Sequence, residues 1–130
     1  MGSNLKRKFI SFQALIDPAE IREIKLFTNQ FEQDFLHPGT HDRRINLDPG
    51  YLNLSKLVLA STKDYQHRIY LGRGIYAEVT LRYKKEKGFK PWEWTYPDYR
   101  TREYLEIFNH LREIYQGQLK TKKINAKGNN

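Results

Sequence analysis

The residues best placed to do chemistry lie in "HRIYLGRGIYAEVTLRY", His67 to Tyr83, where charged and phenolic side chains recur at every second position. Arginine forks and aromatic faces together suit a phosphate or carboxylate attached to something flat. Folded at Gly72-Arg73-Gly74, with Gly74 in the left-handed region, the stretch reads as a β-hairpin. That register pairs Leu71 with Ile75, Tyr70 with Tyr76, Ile69 with Ala77 and Arg68 with Glu78; extended, it pairs Gln66 with Thr80 and Asp64 with Arg82. One face is then apolar. The other carries Arg68, Tyr70, Tyr76, Glu78, Thr80 and Arg82. As a plain ladder, its opposite-charge and tyrosine pairs are worth roughly 0.2–1 kcal/mol each. As a site, two tyrosines between charges would lie under a ligand, a partner or another segment of chain.

The ligand-binding set expected from this pattern is Arg68, Arg73 and Lys63 for charge, Tyr70, Tyr76 and Tyr51 for walls, and Glu78 beside them. Arg43, Arg44 and His67 are further donors, and Trp92, Trp94, Tyr96 and Tyr99 further rings, a collection that equally suits single-stranded RNA. Trp92 and Trp94 alternate on an extended segment, which predicts one packed inward and one capping the edge. Asp48 with Glu78 is a weak acid/base candidate, because an Asp before Pro-Gly normally caps its own turn. His37, His41 and Asp42 make a poor metal set, since Pro38 and Gly39 forbid the helix that would align the histidines. No nucleophile elbow and no G-x-x-x-x-G-K-[ST] phosphate loop occurs. No catalytic residue can be named, and no metal or cofactor is expected.

The elements that must position these residues begin with "LKRKFISF", read as a first strand. In "IDPAEI", Asp17 is an N-cap, Pro18 suits the first helical position, Glu20 completes a capping box and Ile16 with Ile21 forms a hydrophobic staple. The helix that follows buries Ile21, Ile24, Phe27, Phe31 and Phe35, and "HPG" ends it. "RRINL" reads as a second strand closed by "DPGY", with Gly50 at positive φ. "LNLSKLVLAST" splits its leucines between faces as a strand, so a short helix from Asn53 is preferred. A last helix, Thr101 to Leu119, buries Tyr104, Ile107, Phe108, Leu111, Ile114, Tyr115 and Leu119, and frays at Gly117. The order β-α-β-(α)-β-β-α gives an α+β fold, a small mixed or antiparallel sheet covered on one face by helices.

The length of 130 residues suits one domain, residues 1–119, followed by a basic flexible tail, 120–130. The net charge is +8, but the tail contributes +4 and the "KKEKGFK" loop +3, so the remaining chain is nearly balanced. Such tails are more often solvated than binding arms. There is no cysteine, which excludes disulfides, thiolate metal sites and thiol nucleophiles and fits a reducing cytoplasm. No apolar run approaches the roughly 18 residues of a membrane span.

"INLDPGYL", "KLVLASTKDY", "HRIYLGRGIYAEVTL" and "WTYPDYR" together resemble a family of bacterial proteins, domain-of-unknown-function family 4416, from about Gly2 to about Tyr115. Members of that family carry a further strand, helix and strand in front. The resemblance therefore implies that this chain lacks a unit that would cover the Tyr70 and Tyr76 face or wall a pocket there. Some members carry a GTP-binding label, which implies a nucleotide ligand. The resemblance transfers no catalytic residue. The leading expectation is a cytoplasmic ligand-binding or enzyme-like domain that holds an anionic small molecule, nucleotide-like or otherwise, on the hairpin face. The alternative is an RNA-binding accessory domain using the basic loop and tail, and self-association through the hairpin is a further expectation.

Overall fold

In the computed structural model, which describes residues 7–128, the chain is α+β: helix α1 (Ile21–Asp34), strands β1 (Gly50–Leu52), β2 (Lys56–Ser61), β3 (Arg68–Gly72), β4 (Ile75–Lys84) and β5 (Gly88–Pro91), and helix α2 (Arg102–Gly128). The strands form one antiparallel sheet of order β1-β2-β4-β3, with β5 also paired to β4. The chain divides into two compact units, one holding the residues up to Gly50 with Leu59–Glu78, the other Tyr51–Val58 with Val79 onward.

In the first unit, Asp17 caps as its side chain predicts: Oδ1 accepts the Ala19 N–H at 2.9 Å, and Pro18 opens a 3-10 turn, Pro18–Glu20, that leads into α1. Glu20 makes no side-chain capping bond; its backbone N–H closes on the Asp17 carbonyl instead. Residues 7–12 form no strand, a correction to the sequence reading; Leu5 and Lys6 of the expected strand lie outside the described residues. Ile10 and Phe12 are exposed, so this run lacks the packing on which β-preference depends.

The larger correction concerns α1. Its buried side chains are Ile21, Lys25 and Glu32, whereas Phe27, Phe31 and Phe35 are 70%, 39% and 45% exposed. The three rings run along the helix with centroids 6.5 and 4.7 Å apart. The reason lies in the segment expected as the strand "RRINL". Arg43 makes only an isolated bridge to Leu36, and no strand forms there. The backbone of Leu47 is served by α1: Glu32 Oε2 accepts its N–H at 2.8 Å, and Lys25 Nζ donates to its carbonyl at 3.3 Å. Backbone groups leaving water must be paired, and that need turns the polar face of the helix inward. Burial holds the Lys25 amine below its ordinary pKa, a shift that Glu32 and Asp48 oppose.

The hairpin pairs as predicted at Arg68↔Glu78, Ile69↔Ala77 and Tyr70↔Tyr76, but its loop is shorter than expected. Gly72, not Leu71, faces Ile75, and Leu71 is the extra residue where the register shifts. Arg73 and Gly74, at φ 54° and 81°, form the two-residue turn whose twist suits the flanking strands. The bulge reconciles that turn with clean faces above it. Gly72 leaves room for Arg22, whose Nη1 donates to the Leu71 carbonyl at 3.0 Å and would stand 2.9 Å from an added Cβ.

In the second unit, Asn53 is not a helix start. Its Oδ1 accepts the N–H groups of Ser55 and Lys56 and thereby folds the β1–β2 turn. Leu57, Val58 and Ala60 are all buried, the pattern of a strand covered on both faces, which alternation alone cannot reveal. Gly50 opens β1 and is absent from the positive-φ glycines among the described residues. The core here includes Leu81, Phe89, Tyr99 and Phe108, with the last two rings stacked 5.9 Å apart. α2 packs on β5 and on the 3-10 turn Pro97–Arg100. Asn109 Oδ1 accepts the Phe89 N–H at 2.8 Å, and Arg112 donates to the Leu54 carbonyl while lying over Tyr83. α2 does not end near Leu119 but runs through the lysine-rich segment, and Ile114 is exposed rather than buried.

Candidate functional site

Cross-strand pairing puts Arg68 opposite Glu78, and both side chains are withdrawn from water, at 4% and 3% exposure. Glu78 Oε1 accepts from Arg68 Nε at 3.2 Å, Arg68 Nη2 at 3.1 Å and His67 Nε2 at 2.8 Å. Arg68 Nη1 donates to Ser61 Oγ at 2.8 Å and to the Lys63 carbonyl at 3.1 Å, and its guanidinium lies 4.3 Å above the Tyr65 ring. Every nitrogen of Arg68 is thus spent on the protein. A buried ion pair of this kind contributes little net stability, but removing one partner strands the other charge, at about 3–5 kcal/mol. Its physical role is to fix the hairpin to the β2–β3 connection.

On the same hairpin face, Tyr70 and Tyr76 tilt against each other with centroids 5.0 Å apart. Tyr70 is exposed, and its hydroxyl accepts the Gly74 N–H at 3.1 Å, tying the ring to the turn. Desolvation, with Asp64 and Tyr70 nearby, raises the Tyr76 pKa above its ordinary value. Arg73 at the tip pairs with Glu23 at 3.2 Å, both exposed. Lys63 keeps its side chain exposed while its backbone is held by Ser61 and Arg68.

Of the expected set, the fold therefore joins Arg68, Glu78 and the Lys63 backbone in one cluster, Tyr70 and Tyr76 in a second, and Arg73 with Glu23 at the tip. Tyr51 belongs to β1 in the second compact unit. Sequence reasoning missed Ser61 and Tyr65, which complete the Arg68 cluster, and the pair Lys25 and Glu32. Only the i,i+7 spacing of two ionisable residues on one helical face hinted at the latter.

Among the other candidates, Asp48 accepts from Asn46, whereas Glu78 is held by His67 and Arg68, so each carboxylate serves its own cluster. Arg43 is taken by Glu32 and Asn46. Among the described residues no group of three His, Cys, Asp or Glu side chains could hold a metal ion, and no helix is long and apolar enough to cross a membrane. Trp92 and Trp94 stack on each other, 4.8 Å apart and 13° from parallel, rather than dividing between core and edge.

No curated protein and no solved structure matches the chain. A family profile matches residues 1–115, and the chain therefore belongs to the family described as Domain of unknown function (DUF4416).

Proposed function

We propose that this chain is a binding domain for an anionic ligand that carries a flat, nucleotide-like group. The observation that carries the reading is the exposed Tyr70 ring standing against Tyr76 on a hairpin face whose next rung, Arg68 with Glu78, is locked by a buried ion cluster. A rigid aromatic platform left in water costs free energy that stacking a ring on it would recover. Lys63 and Arg73 are exposed cations of the same hairpin region, and Arg68 acts in support, because each of its nitrogens already donates within the protein. Asp64, close enough to influence Tyr76, disfavours placing the ligand's charge over that ring and favours the Lys63 or Arg73 ends. The cysteine-free composition supports a reducing cytoplasm as its setting. Calorimetric titration with a guanine nucleotide, a pyrimidine nucleotide and inorganic phosphate tests the reading. Binding that Tyr70→Ala removes and Lys63→Ala weakens is expected; no heat with any of the three rejects it.

A second reading, RNA binding, is favoured by one observation: Lys120, Lys122 and Lys123 lie on α2 rather than beyond its end. A helix presents cations at fixed spacing to a phosphate backbone. RNA affinity that falls steeply with salt and loses that slope in the Lys120→Gln, Lys122→Gln, Lys123→Gln triple variant supports this alternative.

A further inference from the structure

In the second unit, β4 and β5 set Arg82 opposite Lys90, and Trp92 follows two residues later, just past the end of β5. The Arg82 guanidinium lies 4.0 Å over the Trp92 ring, and Trp92 stacks on Trp94, giving three planar groups in a pile. The pile rests on a fixed turn. Thr95 Oγ1 accepts the Trp92 N–H at 2.9 Å and donates to the Thr80 carbonyl at 2.7 Å. Arg100 donates to the carbonyls of Trp92, Glu93 and Thr95. Trp94 Nε1 donates to the Val79 carbonyl at 2.9 Å.

Within this ordered turn two donors are left over. Arg82 Nε and Trp92 Nε1 are both fully buried, and neither has a hydrogen-bond partner among the described residues. Buried N–H groups without acceptors are rare in native folds and call for an explanation. An indole N–H can only donate, and stacking on a ring satisfies neither N–H. Other arginines of this chain that approach the interior spend their donors within the protein: Arg22 on the Leu71 carbonyl, Arg68 on Glu78, Arg112 on the Leu54 carbonyl. Arg82 faces a lysine across the strands instead of a carboxylate, and Lys84, Lys85 and Lys87 follow with one acid, Glu86, among them.

We propose that Arg82 and Trp92 form an oxyanion-binding site, independent of the hairpin reading above. In it, Arg82 Nε–H and Trp92 Nε1–H donate to two oxygens of one phosphate or carboxylate group, and Lys90 adds positive charge from the same rung. Both N–H groups are closed to water in the free chain, so the ligand enters by a shift of the Arg82 side chain that opens them. The locked turn keeps Trp92 in place meanwhile.

The test uses the full chain labelled with nitrogen-15, titrated with sodium phosphate, with sodium acetate, and with sodium chloride at matched ionic strength. The Trp92 indole N–H and Arg82 Nε–H resonances move together to saturation, while the Trp94 indole, already bonded to Val79, stays in place. A response to phosphate alone assigns the site to phosphorylated ligands and an equal response to acetate assigns it to carboxylates; either result supports the site. Arg82→Lys and Trp92→Phe each weaken the midpoint by ~10-fold or more, the loss expected for one charge-assisted hydrogen bond. Melting curves without anion check that both variants fold, and the unmodified chain decides alone if neither does. Silent resonances with both anions, the same shifts with chloride, or unchanged midpoints in both folded variants overturn the proposal.

Discussion

Arg68 and Arg82 are the same residue type on strands of the same sheet, each lying over an aromatic ring, yet their surroundings give them opposite roles. Across the strands from Arg68 stands Glu78, which pairs its guanidinium, and each guanidinium nitrogen donates to the protein. Across from Arg82 stands Lys90, and its buried Nε–H has no acceptor among the described residues. The rung partner therefore decides whether an arginine is a brace or an available donor. Composition and exposure on the strand do not separate the two. A buried charge with its counter-charge is structural, whereas Arg82 keeps an unpartnered Nε–H, the donor that the proposed oxyanion site uses.

The largest test of this contrast is Glu78→Ala. It leaves Arg68 and His67 facing a void where their acceptor stood, and should lower stability by about 3–5 kcal/mol, read from denaturant unfolding. A loss below about 1 kcal/mol would mean that the cluster is solvated, and the contrast would fail. Next comes the other buried acid of the first unit: Glu32→Ala strips the acceptor from the Leu47 N–H and should cost about 1–3 kcal/mol. Phe31→Ala, one residue away on the exposed side, should cost less than about 1 kcal/mol, since a large core penalty applies only to a ring enclosed by protein. If Phe31→Ala proves the costlier of the two, α1 presents its phenylalanines inward.

A smaller effect is expected at Arg82. Arg82→Leu gives up a cation–π contact worth about 0.5–1 kcal/mol but also removes an unpaired buried N–H, so stability should change by less than about 1 kcal/mol. A change as large as that of Glu78→Ala would show that Arg82 is a brace as well. The smallest expected effect is a gain. Lys90→Glu supplies Arg82 with the carboxylate that Arg68 already has and should stabilise by about 0.2–1 kcal/mol, seen as a rise in Tm. A fall in Tm would indicate that Arg82 does not reach across to that rung.

Local devices were legible from the sequence where a side chain acts on its own neighbours. Asp17 accepts from Ala19 two residues ahead, and Pro18 can occupy the first position of a helical turn without wasting an N–H. The hairpin pairs from Arg68 to Tyr76 were likewise readable, because alternation and glycine chemistry point to the same register. The Leu71 bulge was not, since a one-residue insertion leaves the alternation above it unchanged. "LNLSKLVLAST" is ambiguous between helix and strand in the sequence, and the preference for helix fails because a strand buried on both faces shows no alternation at all. Within the candidate site, the Arg68–Glu78 opposition followed from register, but its closure by Ser61 and the Lys63 carbonyl depended on the path of the β2–β3 connection.

The sequence by itself determined the α+β class, the start of α1, the hairpin and its cross-strand pairs, because these rest on capping, turn and pairing chemistry acting over a few residues. Tertiary structure alone decided which face of α1 is buried. By apolar count the phenylalanine stripe wins, but the backbone of Leu47 needs a donor and an acceptor, and only Lys25 and Glu32 supply them. Tertiary structure also decided which arginine is spent, because a guanidinium's partners come from other strands and loops, and sequence neighbours do not reveal them.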